Sequence, residues 1–573
     1  MIVAGEPAVP LAPSSPRAAW WPRVRAAASP LAVAGLGIAL LMAAPVLAVA
    51  WQAVAGAGSS TLSELASTVL PRMALTTVLL AAMVLAVVLP VGVGAAWLVA
   101  AYEFPGRRTL SALLVLPLAM PAFVMAFAYT DFLDTSGPLQ RALREATGWQ
   151  VRDYWFPDVR SLPFGALFLG LALYPYVYAM ARAAFAERSP SLAEASRTLG
   201  LSPLRTWWHA VWPVARPAVV AGCALVLMET LADFGTVSYF AIDTLSAGIY
   251  RAWQGYGDKT AAARLACALL AMVGLLVFLE RRSRSRMAFH SRSLRPARPR
   301  RLSGWRAAAA LALLGLPVVL GFVLPAALLV RAWLAAGAPV DPRLPGWVAN
   351  TAMLALFGTA LVVPLALAVA YAMRLARSRV VGVAAALASA GYAVPGTVLA
   401  VGLLTLLGPL DRAVGGLLLS ASAAGVAYAY AVRFFSIGYQ GLEAGLRRIA
   451  PSIDASARSL GRSPLGVLRE IHWPLLRGSL GTAALLVAVD CLKELPATYA
   501  LRPFDFDTLA VVAYQFASDE RLEMAAAPSL LIMLVGLLPV SMLARSLAGQ
   551  AAHPSRRRDS EAVKASTSAG PVL

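Results

Sequence analysis

"EASRTLGLSPLRTWWHAVWP", residues 194–213, and "ASARSLGRSPLGVLREIHWP", residues 455–474, are the two stretches on which the reading of this chain turns. Gly200 aligns with Gly461, Ser202 and Pro203 with Ser463 and Pro464, and Trp212 and Pro213 with Trp473 and Pro474, always 261 residues apart. Self-similarity at a fixed separation marks a duplicated architecture. Each copy reads as a short helix, a Gly turn, a second short helix and a Pro that closes it. In the first copy "SLAE", residues 191–194, fits a capping box, in which Glu194 reaches back to a backbone N–H.

What surrounds these polar insertions is apolar. The chain has 573 residues, of which 59% are hydrophobic, and a mean hydropathy of +0.70. A soluble domain is nearer 45–50% apolar, so a polytopic, all-α integral membrane protein is expected. Stretches long enough to cross a hydrocarbon core of about 30 Å recur roughly twelve times. Six lie near 31–54, 73–101, 109–133, 163–184, 216–237 and 262–279, and six near 307–331, 348–373, 380–407, 414–436, 479–499 and 524–547. The spans holding "LPLAMPAFVMAF" and "GYAVPGTVLAVG" contain Pro and Gly and are expected to be kinked or broken. The resulting plan is a first half at 1–280, a basic linker at 281–306, a second half at 307–547 and a tail at 548–573, with the insertions inside loops 185–215 and 437–478. Six spans per half put both insertions on one side of the membrane, so the repeats are parallel. The first span has a basic flank and ends in "AVAW", but its length favours an anchor over a cleaved signal.

The formal charge of +20 suggests nucleic acid only until its distribution is examined. Most Lys and Arg fall on one side of the predicted spans, which the positive-inside rule makes cytoplasmic, together with both termini. Ten arginines lie between Arg281 and Arg306, a run suited to anionic lipid; nothing in it resembles a nucleic-acid recognition module. Cys223, Cys267 and Cys491 lack metal or disulfide spacing. A phosphate-binding loop needs Gly-Lys followed by Ser or Thr, and none of Lys259, Lys493 and Lys564 follows a glycine. An ATPase in this sequence is thereby excluded.

Four carboxylates interrupt the apolar pattern. Glu229 and Asp233 lie four residues apart, and at the same separation of 261 they fall on Asp490 and Glu494. As an i,i+4 pair on a helix, each would share one face. An ionised Asp at a membrane helix centre costs about 2.5–3.5 kcal/mol, so the four either line a watery path or pair with cations, Lys493 being at hand. A passage lined by hard oxygen donors suits a highly charged metal ion or a cationic organic solute.

The pattern "EASRTLG" with Pro213, repeated as "ASARSLG" with Pro474, resembles the coupling loop of permease subunits in binding-protein-dependent ABC importers. The resemblance implies the type I permease architecture and a transport subunit that is not itself an enzyme. It implies that Glu194, Gly200, Pro213, Gly461 and Pro474 belong to feet that dock on two separate ATPase subunits. It also implies a periplasmic substrate-binding protein as partner and a bacterial inner-membrane location. The second foot departs from the pattern by placing Ala455 at the acidic position; Asp454 is adjacent, but one helical residue turns its carboxylate by about 100°. "ETLADFGTVSYFAIDTLSAGIYRAW" and "LKELPATYALRPFDFDTLAVVAYQFASDERLEMAAAPSLLI" resemble the corresponding segments of fused two-half ferric iron permeases, with similarity over nearly the whole chain. That resemblance implies Fe(III) as substrate, ATP used by partner subunits, no bound cofactor, and Glu229, Asp233, Asp490 and Glu494 along the translocation path. Thiamine, phosphonate or another small solute remains an alternative within the class, and a twelve-span ion-coupled transporter outside it. Loops at Asp134–Pro163, Ser238–Asp258 and Leu501–Glu523, acidic and aromatic, are candidate docking surfaces for the binding protein.

Overall fold

The computed structural model describes residues 30–56, 69–186, 200, 202–285, 299–376, 379–416 and 419–568. Among them the chain is helical almost throughout; a single two-stranded parallel ladder pairs β1 (Tyr102–Glu103) with β2 (Arg300–Arg301). The helices run α1 (Pro30–Ala55), α2 (Leu70–Ala101), α3 (Arg107–Leu113), α4 (Ala122–Leu133), α5 (Pro138–Thr147), α6 (Leu162–Ala186), α7 (Pro203–Thr206), α8 (Trp212–Ala232), α9 (Gly235–Tyr239), α10 (Leu245–Tyr250) and α11 (Lys259–Ser285). Then follow α12 (Trp305–Val318), α13 (Leu324–Ala335), α14 (Leu344–Ala376), α15 (Arg379–Ser389), α16 (Gly396–Val414), α17 (Ala423–Arg447), α18 (Pro451–Ser459), α19 (Pro464–Val467), α20 (Trp473–Leu492), α21 (Pro496–Leu501), α22 (Leu509–Ser518) and α23 (Leu522–Ser568).

Ten of the described helices are long and apolar enough to cross a membrane, or eleven if the pair Arg107–Ala119 and Ala122–Thr147, bent by 89°, counts as one span. This is roughly consistent with the expected twelve, and two of the expected segments have local features of their own. The segment at 380–407 is broken, and only its second helix, α16, has the length to span. The span expected at 414–436 is α17, which begins at Ala423 and carries Arg433, Glu443 and Arg447. Both breaks have the same construction. A 3₁₀ turn, Leu116–Ala119 or Ala390–Ala393, leads to Pro121 or Pro395 at the N-cap, with nearly equal dihedrals (φ −58°, ψ 139° and φ −57°, ψ 143°). Proline starts a helix well because its missing N–H is one that has no intrahelical partner there.

The duplication continues at the level of single hydrogen bonds. In α2, Thr77 Oγ1 donates to the Met73 carbonyl and accepts from Leu245 N at 3.0 Å; in α14, Thr351 Oγ1 donates to the Trp347 carbonyl and accepts from Leu509 N at 2.9 Å. Thr244 and Thr508 cap α10 and α22 in the same manner. Pro90 and Pro364 sit inside α2 and α14, the two longest apolar helices of the halves.

Two compact units are interleaved along the sequence: 1–44, 359–392 and 430–487 form one, and 45–358, 393–429 and 488–573 the other. In the larger unit the opening helices of the second half pack on the first half. The Tyr129 hydroxyl of α4 donates to the Leu320 carbonyl at 2.6 Å, and Gly321 lies against Pro117 and the Leu171 carbonyl. The second part of α1 packs reciprocally on α16. There a Cβ at Gly402 would stand 2.3 Å from the Pro45 carbonyl oxygen, far inside contact distance. Small residues let membrane helices approach this closely. The expected linker 281–306 lies largely outside the described residues; its ends are the close of α11 and β2.

Gly402→Ala forces α1 and α16 apart and is expected to cost about 1–3 kcal/mol, the range for overpacking a close contact. A melting temperature in detergent equal to that of the wild type would show that the two helices do not pack this way.

Candidate functional site

Over the described residues, Gly200 and 202–213 in the first insertion and 461–474 in the second, the two feet follow the same path. In the first, Glu194 and the rest of residues 187–199 lie outside the described residues. Gly200 has φ +73° and its mate Gly461 φ +76°. L-residues other than Asn and Asp visit this left-handed region rarely, and a Cβ at either position would meet nothing within 4 Å. The glycines are therefore required by backbone conformation, not by crowding within the chain. After each turn come α7 and α19, then a π-helical turn at Trp207–Val211 and Leu468–His472. Pro213 and Pro474 occupy the second position of α8 and α20.

Beyond this shared path, the feet are held differently. In the second foot Ala455 is exposed and Asp454 is buried, as the 100° rotation requires. Arg374 Nε, at the end of α14, donates to Asp454 Oδ2 at 2.7 Å, and His472 Nε2 lies 2.8 Å from Oδ1. The remaining guanidinium nitrogens of Arg374 donate to the carbonyls of Leu446 and Ile449. One turn earlier, the Tyr371 hydroxyl donates to the Pro464 carbonyl at 2.6 Å and its ring meets His472 edge-on. Two side chains of one membrane helix thus grip both arms of the foot. In the first foot the positions of Tyr371 and His472 are taken by Trp97 and Val211. Trp97 meets Phe185 and Trp207 edge-on at 5.4 and 6.3 Å, and Trp207 stacks on Trp212. Aromatic packing does there what a charged network does in the second copy.

Sequence reasoning singled out neither Tyr371, Arg374 nor His472. The available signal was a Tyr-x-x-Arg pair ending a span together with a histidine where the first copy has Val211, but a terminal Arg reads equally well as a positive-inside flank.

The carboxylates do not share a continuous helix face as their spacing predicts. Helix α8 ends at Ala232 and α20 at Leu492, so Asp233 and Glu494 lie beyond the breaks. Asp233 Oδ2 accepts from Val237 N at 3.0 Å and Oδ1 from Thr236 Oγ1 at 3.1 Å. Glu494 accepts from Ala497 N and Thr498 N, both at 2.9 Å, and from Thr498 Oγ1 at 2.6 Å. Both close the open first turns of α9 and α21. A charged acceptor at such a turn contributes about 1.5–3 kcal/mol. Upstream, Asp490 is paired with Lys493 at 2.8 Å, and Lys493 is close enough to Glu229 for their charges to interact. Among the described residues, no group of three or more His, Cys, Asp or Glu could hold a metal ion. In the loop expected to be acidic, a cavity of about 620 Å³ is lined by Arg141, Arg144 and Arg152 with Glu145 and Trp149, so its rim is basic.

Burial pushes the Asp454 carboxyl up, but hydrogen bonds from Arg374 and His472 and their charges outweigh it and hold it below the usual carboxylate range. A group depressed on folding contributes stability that is fully present above its unfolded value, about 3.9, and is lost as pH falls through the folded one. Asp454→Asn is therefore expected to destabilise the protein by about 2 kcal/mol at pH 7. The deficit should narrow only in buffers more acidic than the ordinary carboxylate range, as read from detergent melting curves. A deficit that vanished between pH 8 and 6 would contradict this.

Comparison with known proteins follows the same lines. Residues 89–282 match the family described as binding-protein-dependent transport system inner membrane component. An Fe(3+)-transport system permease protein of Haemophilus influenzae is 26% identical over 485 residues, 82% of this chain and 90% of that protein. A sulfate transport system permease protein of Escherichia coli is 29% identical over 189 residues, 32% of this chain and 65% of its own length. A molybdenum transport system permease protein of the same species is 28% identical over 211 residues, 35% of this chain and 88% of its own. With the duplicated feet and the broken spans beside these relatives, residues 89–282 match the binding-protein-dependent inner-membrane transport components and the chain along most of its length is similar to a transport permease subunit.

Proposed function

We propose that this permease carries Fe(III) inward across the bacterial inner membrane, receiving it from a periplasmic binding protein and driven by two separate ATPase subunits. The observation that carries the substrate is the extent of the iron relative's alignment, which spans both halves over 485 residues, whereas the sulfate and molybdenum relatives reach about a third of the chain. Charge supports the same choice. The carboxylates Glu229, Asp233, Asp490 and Glu494 lie where the apolar helices end or break, an arrangement that favours a cation over an oxyanion.

Both feet, with both termini, are assigned to the cytoplasmic side by the positive-inside rule, and each foot takes one ATPase. The second foot offers a surface for this. Leu460 and Leu465, flanking Gly461, are 80% and 67% exposed, and apolar side chains clustered at a polar turn mark a contact site. In the first foot Glu194 fills the acidic position of the coupling pattern, which Ala455 leaves vacant in the second. A loaded binding protein docks on the outer loops, ATP draws the ATPases together, and the halves rock to open the path outward and then inward.

Uptake of radioactive iron by proteoliposomes holding the chain with its ATPase and binding protein tests the assignment. Iron should accumulate with ATP, while sulfate and molybdate should not; accumulation of either oxyanion in place of iron would overturn the substrate. Glu229→Gln combined with Asp490→Asn should lower iron uptake about tenfold, equivalent to roughly 1.4 kcal/mol on the barrier, with ATPase binding intact. Unchanged uptake would leave these two groups a structural role only.

The feet give a separate expectation. Gly461→Val strains a left-handed position by about 1–2 kcal/mol and should uncouple ATP hydrolysis from uptake, whereas Gly461→Asn, which tolerates that conformation, should retain coupling. Equal uptake by the Val variant and the wild type would remove the foot from the coupling machinery.

A further inference from the structure

The duplication allows the central axis of the permease to be located from contacts alone. Residues related by the repeat lie on opposite sides of its pseudo-two-fold axis, so where a residue meets the mate of its own neighbour, that axis passes between them. Phe234 and Leu495 are mates, and a Cβ on Gly235 would stand 2.9 Å from Leu495 Cδ2 and equally close to Phe123. Tyr250, the last residue of α10, is the mate of Tyr514 in α22, as their caps Thr244 and Thr508 show. Both rings pack on Phe234, at 4.8 and 5.7 Å between centroids, and both on Tyr499, at 5.6 and 5.4 Å. Phe234 and Tyr499 are themselves 6.1 Å apart. An aromatic plug therefore sits on the axis, with three phenols contributed by both halves.

The other oxygen donors near this point are largely committed. Both oxygens of Glu494 and of Asp233 accept hydrogen bonds at the starts of α21 and α9, and Asp490 is bound to Lys493. Drawing any of them onto an ion would open a helix start or break an ion pair. The phenols are bonded to one another and to serines, Tyr250 to Tyr499 and Tyr514 to Ser238 and Ser518; exchanging these bonds for an ion opens no helix start, since a Tyr side chain keeps its ring packing whichever partner its oxygen takes.

We propose that Tyr250, Tyr499 and Tyr514 form a transient Fe(III)-binding station on the translocation axis, entered when the plug parts. This rests on the iron reading given above. As each Fe–O bond forms, the phenol releases its proton to the water or anion accompanying the ion. Iron stays ferric throughout, so no oxidant or reductant is needed. Three phenolates neutralise the three positive charges, which removes most of the cost of placing a trivalent ion among apolar helices, and hard oxygen donors suit a hard cation.

The test uses the full chain assembled with its ATPase and binding protein, trapped with a non-hydrolysable ATP analogue and titrated with ferric nitrilotriacetate. A phenolate-to-iron charge-transfer absorption in the visible is expected in the wild type and should weaken in Tyr250→Phe, Tyr499→Phe and Tyr514→Phe, each of which preserves the ring. Radioactive iron uptake in the Tyr250→Phe, Tyr514→Phe double variant should fall by about tenfold or more, the loss typical of disturbing a metal site. If the wild type imports iron while the visible band is absent and the double variant transports normally, the phenol station is wrong and the iron reading stands. If the wild type imports no iron, the iron reading fails and the station with it.

Discussion

A backbone N–H group inside a membrane must find an acceptor within the protein, because lipid offers none. That requirement governs the centre of this molecule. Where α8 and α20 stop, the chain starts new short helices, and each start exposes donors without intrahelical partners. Asp233 and Glu494 supply the acceptors from the residue positions at which the chain turns. Without them α9 and α21 would have no stable beginning, and Phe234, Leu495 and Tyr499 would not be held on the axis. Carboxylates that look anomalous in an apolar sequence are thus what allows the helix to be interrupted there.

Duplication fixes the shared parts of this design and leaves the rest free to diverge. The left-handed glycines, the π-helical turns, the threonine bridges and the proline-capped breaks recur in both halves because each settles a backbone requirement. The packing that holds each foot has no such requirement. An aromatic group around Trp97 and Trp207 serves one copy, and the Arg374–Asp454–His472 network serves the other. A buried charged network depends on geometry more sharply than an aromatic one, since a small displacement leaves a charge unpaired. The position of the second foot is therefore strictly defined relative to the end of α14.

The sequence was most legible where a backbone rule acts on a single residue type. The repeated Gly and Pro of the feet predicted the turns at Gly200 and Gly461, and the prolines of the spans at 109–133 and 380–407 predicted a kink or break in each. The offset between Asp454 and Ala455 predicted that the Asp454 carboxylate would point away from the pattern's acidic position, and it is buried while Ala455 is exposed. Legibility failed where two structures share one pattern. Glu229 with Asp233 has the spacing of a helix face, and nothing in the spacing tells that the helix ends at Ala232 and the second carboxylate becomes a cap. Arg374 at the close of an apolar run has the form of a lipid-facing flank, and its partner Asp454 lies eighty residues on. The expected count of about twelve spans is roughly matched by the ten or eleven long apolar helices among the described residues, the difference lying at α17, whose charges interrupt its apolar run.

Connectivity joins these features into one device. Helix α8 begins at Trp212, where the first foot ends, and closes at Ala232, one residue before the cap of α9. At about 1.5 Å per residue its 21 residues make a rod of roughly 30 Å, the thickness of the hydrocarbon core. Helix α20 has matching bounds, from Trp473 after the second foot to Leu492 before Glu494. In the first half one covalently continuous helix thus joins the foot to the cap of α9, with no loop in between. The cap at the far end of α20 matters because it fixes the start of the short helix: both oxygens of Glu494 accept from the first turn of α21, which carries Tyr499.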